Sequence, residues 1–150
     1  MLALPGHLAI PAYVMDRTWT ARAWNADAAR LFVGWLDGEY DRNLLLYIFL
    51  SPLSRRLIVG WEERGRRVVA EFRADYSRQV NDPAIKALIE ALTRQSPDFR
   101  RCWQEQAVLR REGGERRFNH PQDGPCRFLQ STLVLASDAG IKLVTLEPAG

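Results

Sequence analysis

The hydrophobic period of this chain changes twice, and that change limits what it can fold into. A short opening run has strand character: Ala12–Met15 is apolar, Asp16-Arg17 makes a tight turn, and Thr18–Trp24 is rich in β-branched and aromatic residues. Asn25 fits a helix N-cap, with Ala28, Leu31 and Phe32 spaced i, i+3, i+4 behind it and Gly34 as a stop. A helical period follows. Asp41 can cap a helix carrying Leu44, Leu45, Ile48 and Phe49, which Ser51-Pro52 interrupts. From Leu53 to about Val80 the wheel puts Leu57, Ile58, Trp61, Val68, Val69, Phe72 and Tyr76 on one side. Arg55, Arg56, Arg66, Arg67 and Arg73 fall on the other, which reads as a solvated face. Asn81-Asp82-Pro83 stops and restarts the pattern, and Ile85, Leu88, Ile89 and Leu92 form a stripe. Ser96-Pro97 repeats that punctuation before a short helix with Phe99 and Trp103.

The last third switches to period two. Ala107–Arg111 and Arg116–His120 flank Gly113-Gly114 as a hairpin, Asn119–Gly124 is a polar turn, and Arg127–Ala136 pairs with Ile141–Glu147 across Ser137–Gly140. The order predicts an α+β fold: a PAS-like antiparallel sheet of about five or six strands, two N-terminal and four C-terminal, with a long helical insert packed on one face. Spacing alone fits a generic α+β fold as well. Phe128, Gln130, Thr132 and Val134 face one way and Leu129, Leu133 and Leu135 the other, so both faces of the sheet need cover. That predicts a homodimer or a docked second domain.

At 150 residues the chain has the length of one domain, with residues 1–10 read as a linker remnant or tail and 11–150 as the folded unit. Its 47% apolar content excludes a disordered chain, and no apolar run approaches the ~20 residues of a membrane span. Met1–Pro11 lacks the basic start and apolar stretch of a secretory signal, so a cytoplasmic protein is expected. The net charge of +3 comes from dispersed arginines, with Lys86 and Lys142 the two lysines, and makes no nucleic-acid stripe. Cys102 and Cys126 are expected to be reduced, and their spacing matches no zinc signature.

The aromatic content points to a pocket rather than to catalysis. Trp24, Phe32, Leu45, Ile48, Phe49, Phe72, Phe99 and Trp103 are expected to converge on the sheet from the helical side, with Leu133 and Leu135 added from the strands. They make either a plain core or the wall of an apolar ligand pocket, whose polar part would come from Tyr13, Arg42, Asn43, Tyr47 and Gln130. An enzyme is not expected. His7 sits in the opening segment, His120 precedes Pro121 at a strand end, and Glu62-Glu63 are adjacent and point to different helix faces. No Ser stands in a nucleophile elbow, and Gly113-Gly114 lacks the spacing of a phosphate cradle. No metal site is expected from His120, Cys126 and Cys102, and a haem sensor would need His120 turned inward.

Four blocks in order, AWNADAARLF, RNLLLYIFLSPLSRRLIVGWEERGRRVVAEFR, DPAIKALIEALTRQSPDFRRCWQEQAV and RRFNHPQDG, carry a resemblance. Within them Trp24-Asn25, Asn43-Leu44-Leu45, Trp61-Glu62, Ser96-Pro97 with Phe99, Trp103 and His120-Pro121 stand where one family's pattern places them. From about Pro11 to Pro148 the chain resembles the ligand-binding domain of MmyB-like transcription regulators. Two positions depart from it: Gln106 stands where the family often has a His, and Pro125-Cys126 opens its strand less regularly.

The resemblance implies a PAS-like sensor of a fatty-acid-like molecule, with no other cofactor, joined to a Cro-repressor-type helix-turn-helix that contacts DNA. Nothing before Pro11 is long enough for such a reader domain, so an excised sensor fragment is expected, with a natural single-domain relative as the alternative. A dimerisation module with a filled core and a haem sensor are the competing readings.

Overall fold

A computed structural model of the chain describes residues 1–38, 41–78, 81–105 and 114–150. The strand expected at Ala107–Arg111 and the departure at Gln106 lie outside them. The elements are β1 (Ala12–Met15), β2 (Ala21–Trp24), α1 (Ala26–Leu31), α2 (Leu44–Leu50), α3 (Pro52–Leu57), α4 (Trp61–Tyr76), α5 (Pro83–Gln95), α6 (Pro97–Glu105), β3 (Gly114–His120), β4 (Gly124–Leu135) and β5 (Asp138–Pro148). The strands form one antiparallel sheet in the order β2-β1-β5-β4-β3. The helical insert between β2 and β3 covers one face, as in a PAS-like fold. No described helix is long and apolar enough to cross a membrane.

Local chemistry sets most helix starts. Asn25 caps α1 by accepting from Ala28 N at 2.9 Å, Ser51 caps α3, and Asp82 caps α5 ahead of Pro83. Asn25 does more than cap. Its Oδ1 also accepts from Ala12 N, and its Nδ2 donates to the carbonyls of Pro5 and Ile10 at 3.0 and 2.7 Å. The opening segment, with a 3-10 turn at Leu4–His7 and Pro5 buried, is thereby tied to β1 and α1. Leu8 packs there beside Ala12, Val14 and Leu143 on the face of the sheet away from the helices.

The cap of α2 is Asn43 rather than the expected Asp41. Asn43 Oδ1 accepts from Leu45 N and Leu46 N at 3.0 and 3.1 Å, while Asp41 Oδ1 only holds Asn43 N at 2.8 Å. Tertiary pairing decides between the two, since Asn43 also bridges Thr20 at the open edge of β2.

The long helix expected from Leu53 is broken. Ile58 leaves the helical path to bridge Phe118 on the free edge of β3, and Val59 N donates to Arg117 O at 3.2 Å. Gly60 then turns the chain into α4 with φ of +65°, a left-handed conformation that glycine adopts without strain. Both sheet edges are thus blunted by loop segments.

The strand expected at Thr18–Trp24 starts only at Ala21. Trp19 sits ahead of it with φ of +63°, the sole non-glycine described residue with positive φ, and is buried. Leu44 N donates to its carbonyl at 2.9 Å, tying that turn to the start of α2.

The last hairpin is tighter than the expected turn at Ser137–Gly140, because Leu135 already pairs with Asp138. Phe128, Gln130 and Thr132 face the helices, whereas Leu129, Leu133 and Val134 are 50%, 52% and 49% exposed.

Asn25→Ala is expected to cost about 2–3 kcal/mol, above the ~1 kcal/mol of a simple cap, because its bonds to Ala12 N and to the carbonyls of Pro5, Leu8 and Ile10 are lost as well. Urea unfolding of the variant checks this; a loss within ~1 kcal/mol would reduce Asn25 to a cap.

Candidate ligand cavity

Helix α4 meets the sheet through charge. Arg64, Val68, Glu71 and Asp75 recur at i, i+4, i+7 and i+11, which places them on one face of the helix. Opposite them stand Arg116 of β3, Gln130 and Thr132 of β4, and Lys142 of β5. The close backbone neighbour of α4 is α6, so the gap to the sheet is spanned by side chains.

That gap encloses a cavity of about 30 Å³, space for about two water molecules. Tyr13 and Met15 of β1, Trp19, Phe32, Leu44, Tyr47 and Ile48 of α2, Ile58 and Val144 complete its wall. It is polar on one side and apolar on the other.

Each polar group has a traceable environment. Lys142 Nζ lies 2.6 Å from Asp75 Oδ2, which also accepts from Trp19 Nε1 at 2.9 Å. The Lys142 ammonium stands 5.3 Å from the centre of the Trp19 ring. Arg116 Nη1 donates to Gln130 Oε1 at 2.6 Å and its guanidinium lies over Phe118. Arg64 makes one long hydrogen bond of 3.5 Å to Glu115 O.

Arg64 and Arg116 are only 8% and 7% exposed. Burial, then the neighbouring Arg116 and Arg67 charges, brings the Arg64 guanidinium down to about 9. Burial also lowers Arg116. The Tyr13 hydroxyl, pushed up to about 12 chiefly by burial, stays a neutral donor. Burial likewise raises Tyr47, whose hydroxyl donates to Val33 O at 2.7 Å.

Of the fifteen positions expected to form a pocket, the structure brings Tyr13, Phe32 and Ile48 to the cavity. Tyr47 and Gln130, expected as polar partners, join them. Leu45, Phe49, Phe72 and Phe99 are buried in packed core behind it, and Phe99 stacks on Trp103. Trp24 and Arg42 lie together near the β2 edge, and Asn43 is spent on its cap. Leu133 points out of the opposite sheet face and Leu135 ends β4, so neither lines the cavity. The register with β5 turns the even-numbered positions of β4 inward instead.

The charged lining was missed: Arg64, Glu71, Arg116 and Lys142. A signal existed. Arg64 stands in the apolar register of α4 between Trp61 and Val68, and Arg116 shares the inward face of β3 with Phe118 and His120.

His120 serves the turn after β3. Its Nδ1 accepts from Gln122 N and Asp123 N at 3.2 and 3.1 Å, leaving Nε2 to donate to Arg30 O at 2.9 Å. Among the described residues no three His, Cys, Asp or Glu side chains gather as a metal site, and both cysteines are free thiols.

A second concavity adjoins the first. An open groove of about 550 Å³ is lined by Val59, Phe118, Cys126, Phe128 and Pro148 with Arg117 and Arg127 at its border. Ile58 lines the cavity and its neighbour Val59 the groove, so the α3–α4 linker runs between them, and Phe118 of the groove packs on Phe32 of the cavity.

Lys142→Met is expected to cost about 1–3 kcal/mol by removing the nearer of the two cations of Asp75, which keeps Trp19 Nε1 at 2.9 Å and Arg78 at 3.8 Å. Adding Asp75→Leu is expected to recover part of that loss in thermal or urea unfolding; a Lys142→Met loss under ~1 kcal/mol would mean that the pair is solvated.

Compared with known proteins, residues 2–150 match the family model of the MmyB-like transcription regulator ligand binding domain. No curated protein matches the chain.

Proposed function

The chain belongs to the MmyB-like transcription regulator ligand binding domain family, and on that footing we propose that it senses a fatty-acid-like molecule for a transcription regulator. The family is a regulator's ligand-binding domain and not an enzyme family. The observation that carries the ligand reading is the enclosed, half-apolar cavity with the apolar groove beside it. The cavity alone is too small, since small-molecule sites span about 300–1,000 Å³. The groove, at about 550 Å³, lies within that range, and the cavity adds a polar end to it.

Joining them requires the Ile58–Gly60 linker or the Phe118 ring to move. The linker is held to β3 by one isolated bridge and leads directly into α4. A ligand that displaces it shifts the start of α4, and so binds one arrangement of the domain better than another. Differential affinity of that kind is what a sensor needs to change the DNA affinity of an attached helix-turn-helix.

Native mass spectrometry with lipid extraction on protein purified from cells tests the reading. A bound species of long-chain acid mass is expected, together with a rise in melting temperature on adding C8–C14 acids. An empty protein whose melting temperature no acid raises would sink it; a coloured preparation would point to haem.

The outer sheet face favours a docked partner, a second copy of this domain by our reading. Leu129 and Leu133 are exposed on that face of β4, and Leu8 covers only the neighbouring strands. Light scattering is expected to show a dimer that Leu133→Glu dissociates; a clean monomer at micromolar concentration would remove this part.

A further inference from the structure

We propose that the junction of α3, α5 and α6 is a phosphate-binding surface for duplex DNA, so that this domain itself touches the DNA backbone beside an attached reader domain. The arginines concerned are scattered in sequence, and the fold collects them. Asp98, in the first turn of α6, takes Arg55 of α3 and Arg101 of α6, each at 2.7 Å. Arg100 Nε donates to Thr93 O at 3.0 Å, near the C-terminal end of α5. Arg56 follows Arg55 in the chain and Arg94 follows Thr93, so five arginines border one junction, and all five are exposed. Shared bonds explain Arg55, Arg100 and Arg101 as struts between helices. They do not explain Arg56 and Arg94, which have no carboxylate at ion-pair distance among the described residues.

Charge selects the partner. Five cations against the one carboxylate of Asp98 leave four positive charges, one more than the net +3 of the whole chain, so the remainder of the chain is net negative. The patch has an acidic border: Glu62 and Glu63 line the open concavity beside Arg55 and Trp61, with Arg66 between them and Glu105. Gathered like charges repel, and a polyanion relieves that repulsion. The forked guanidinium donors match phosphate oxygens. Exposed arginines hold a single small anion poorly, whereas a duplex engages several at once and releases a counterion at each. DNA is also the polyanion that a transcription regulator's domain meets at high local concentration. The helices lie on the sheet face opposite Leu129 and Leu133, so pairing through that outer face leaves this surface open. Backbone contacts of this kind add affinity and carry no sequence information.

Fluorescence anisotropy of the chain with a labelled duplex of about 20 bp, between about 50 and about 200 mM NaCl, reads the contact. At the low end a Kd on the order of 10 µM is expected, weakening about fiftyfold at the high end as about three or four phosphates are given up. Arg56→Gln with Arg94→Gln is expected to weaken low-salt binding about tenfold and to make the logarithmic salt slope shallower by about two. Arg22→Gln with Arg30→Gln removes the same charge from β2 and α1 and is expected to leave binding within about twofold. All four side chains are exposed, so both variants keep the fold, which their unfolding curves verify. No binding by the wild-type chain at about 50 mM salt, or an equal loss from both double variants, would overturn the proposal. Polyglutamate bound as tightly as the duplex would overturn it too, in favour of an acidic protein partner. No apolar ligand enters these measurements, so the sensing reading stands or falls separately.

Discussion

A guanidinium taken out of water loses several kcal/mol of hydration, and only an acceptor in the right place restores it. This domain buries two on one seam, between α4 and the sheet, together with a lysine and two carboxylates. Side chains from both layers meet at that seam and leave the cavity between them. The rest of the helical layer, from Leu45 through Phe49, Phe72 and Phe99, supplies the ordinary packed core beside the seam.

The two ends of the sheet solve a different problem with the same economy of parts. An exposed strand edge invites pairing with another chain. At β2 the blocker is Asn43, which is also the cap of α2; at β3 it is Ile58, which also lines the cavity. One short linker therefore serves edge protection, the boundary of the ligand space and the entry to α4. Functions stacked on so few residues make a change in one felt by the others.

Features set by neighbours in sequence were legible, and those set by distant partners were not. Asn25, Asp82 with Pro83 and Ser51 act on amides two or three residues away, so their roles show in the chain itself. The strand–helix–strand order and the antiparallel sheet follow from periodicity in the same way. Asp41 and Asn43 offer equal local chemistry, and the pairing with Thr20 settles the cap in favour of Asn43. The break at Ile58 exists because β3, some sixty residues on, offers an edge. Leu133 looked like lining because both faces of β4 are apolar, and only the register with β5 says which face is inward. Arg64 and Arg116 stand in the apolar registers of α4 and β3, but arginine lies so often on the surface that register alone does not place it on a cavity wall.

Trp19 adds a mechanical element to this arrangement. An L-residue in a left-handed conformation stands on the order of 1–2 kcal/mol above its relaxed state. Its indole is anchored to Asp75 on α4, and its carbonyl to the first amide of α2. The turn is thus cocked by the closed domain, like a latch under load. Asp75 also meets Lys142 of β5 at 2.6 Å, so the strained turn, α4 and the sheet are joined at one carboxylate. Through Leu44 N the same turn reaches α2, and the two helices that border the cavity are thereby linked.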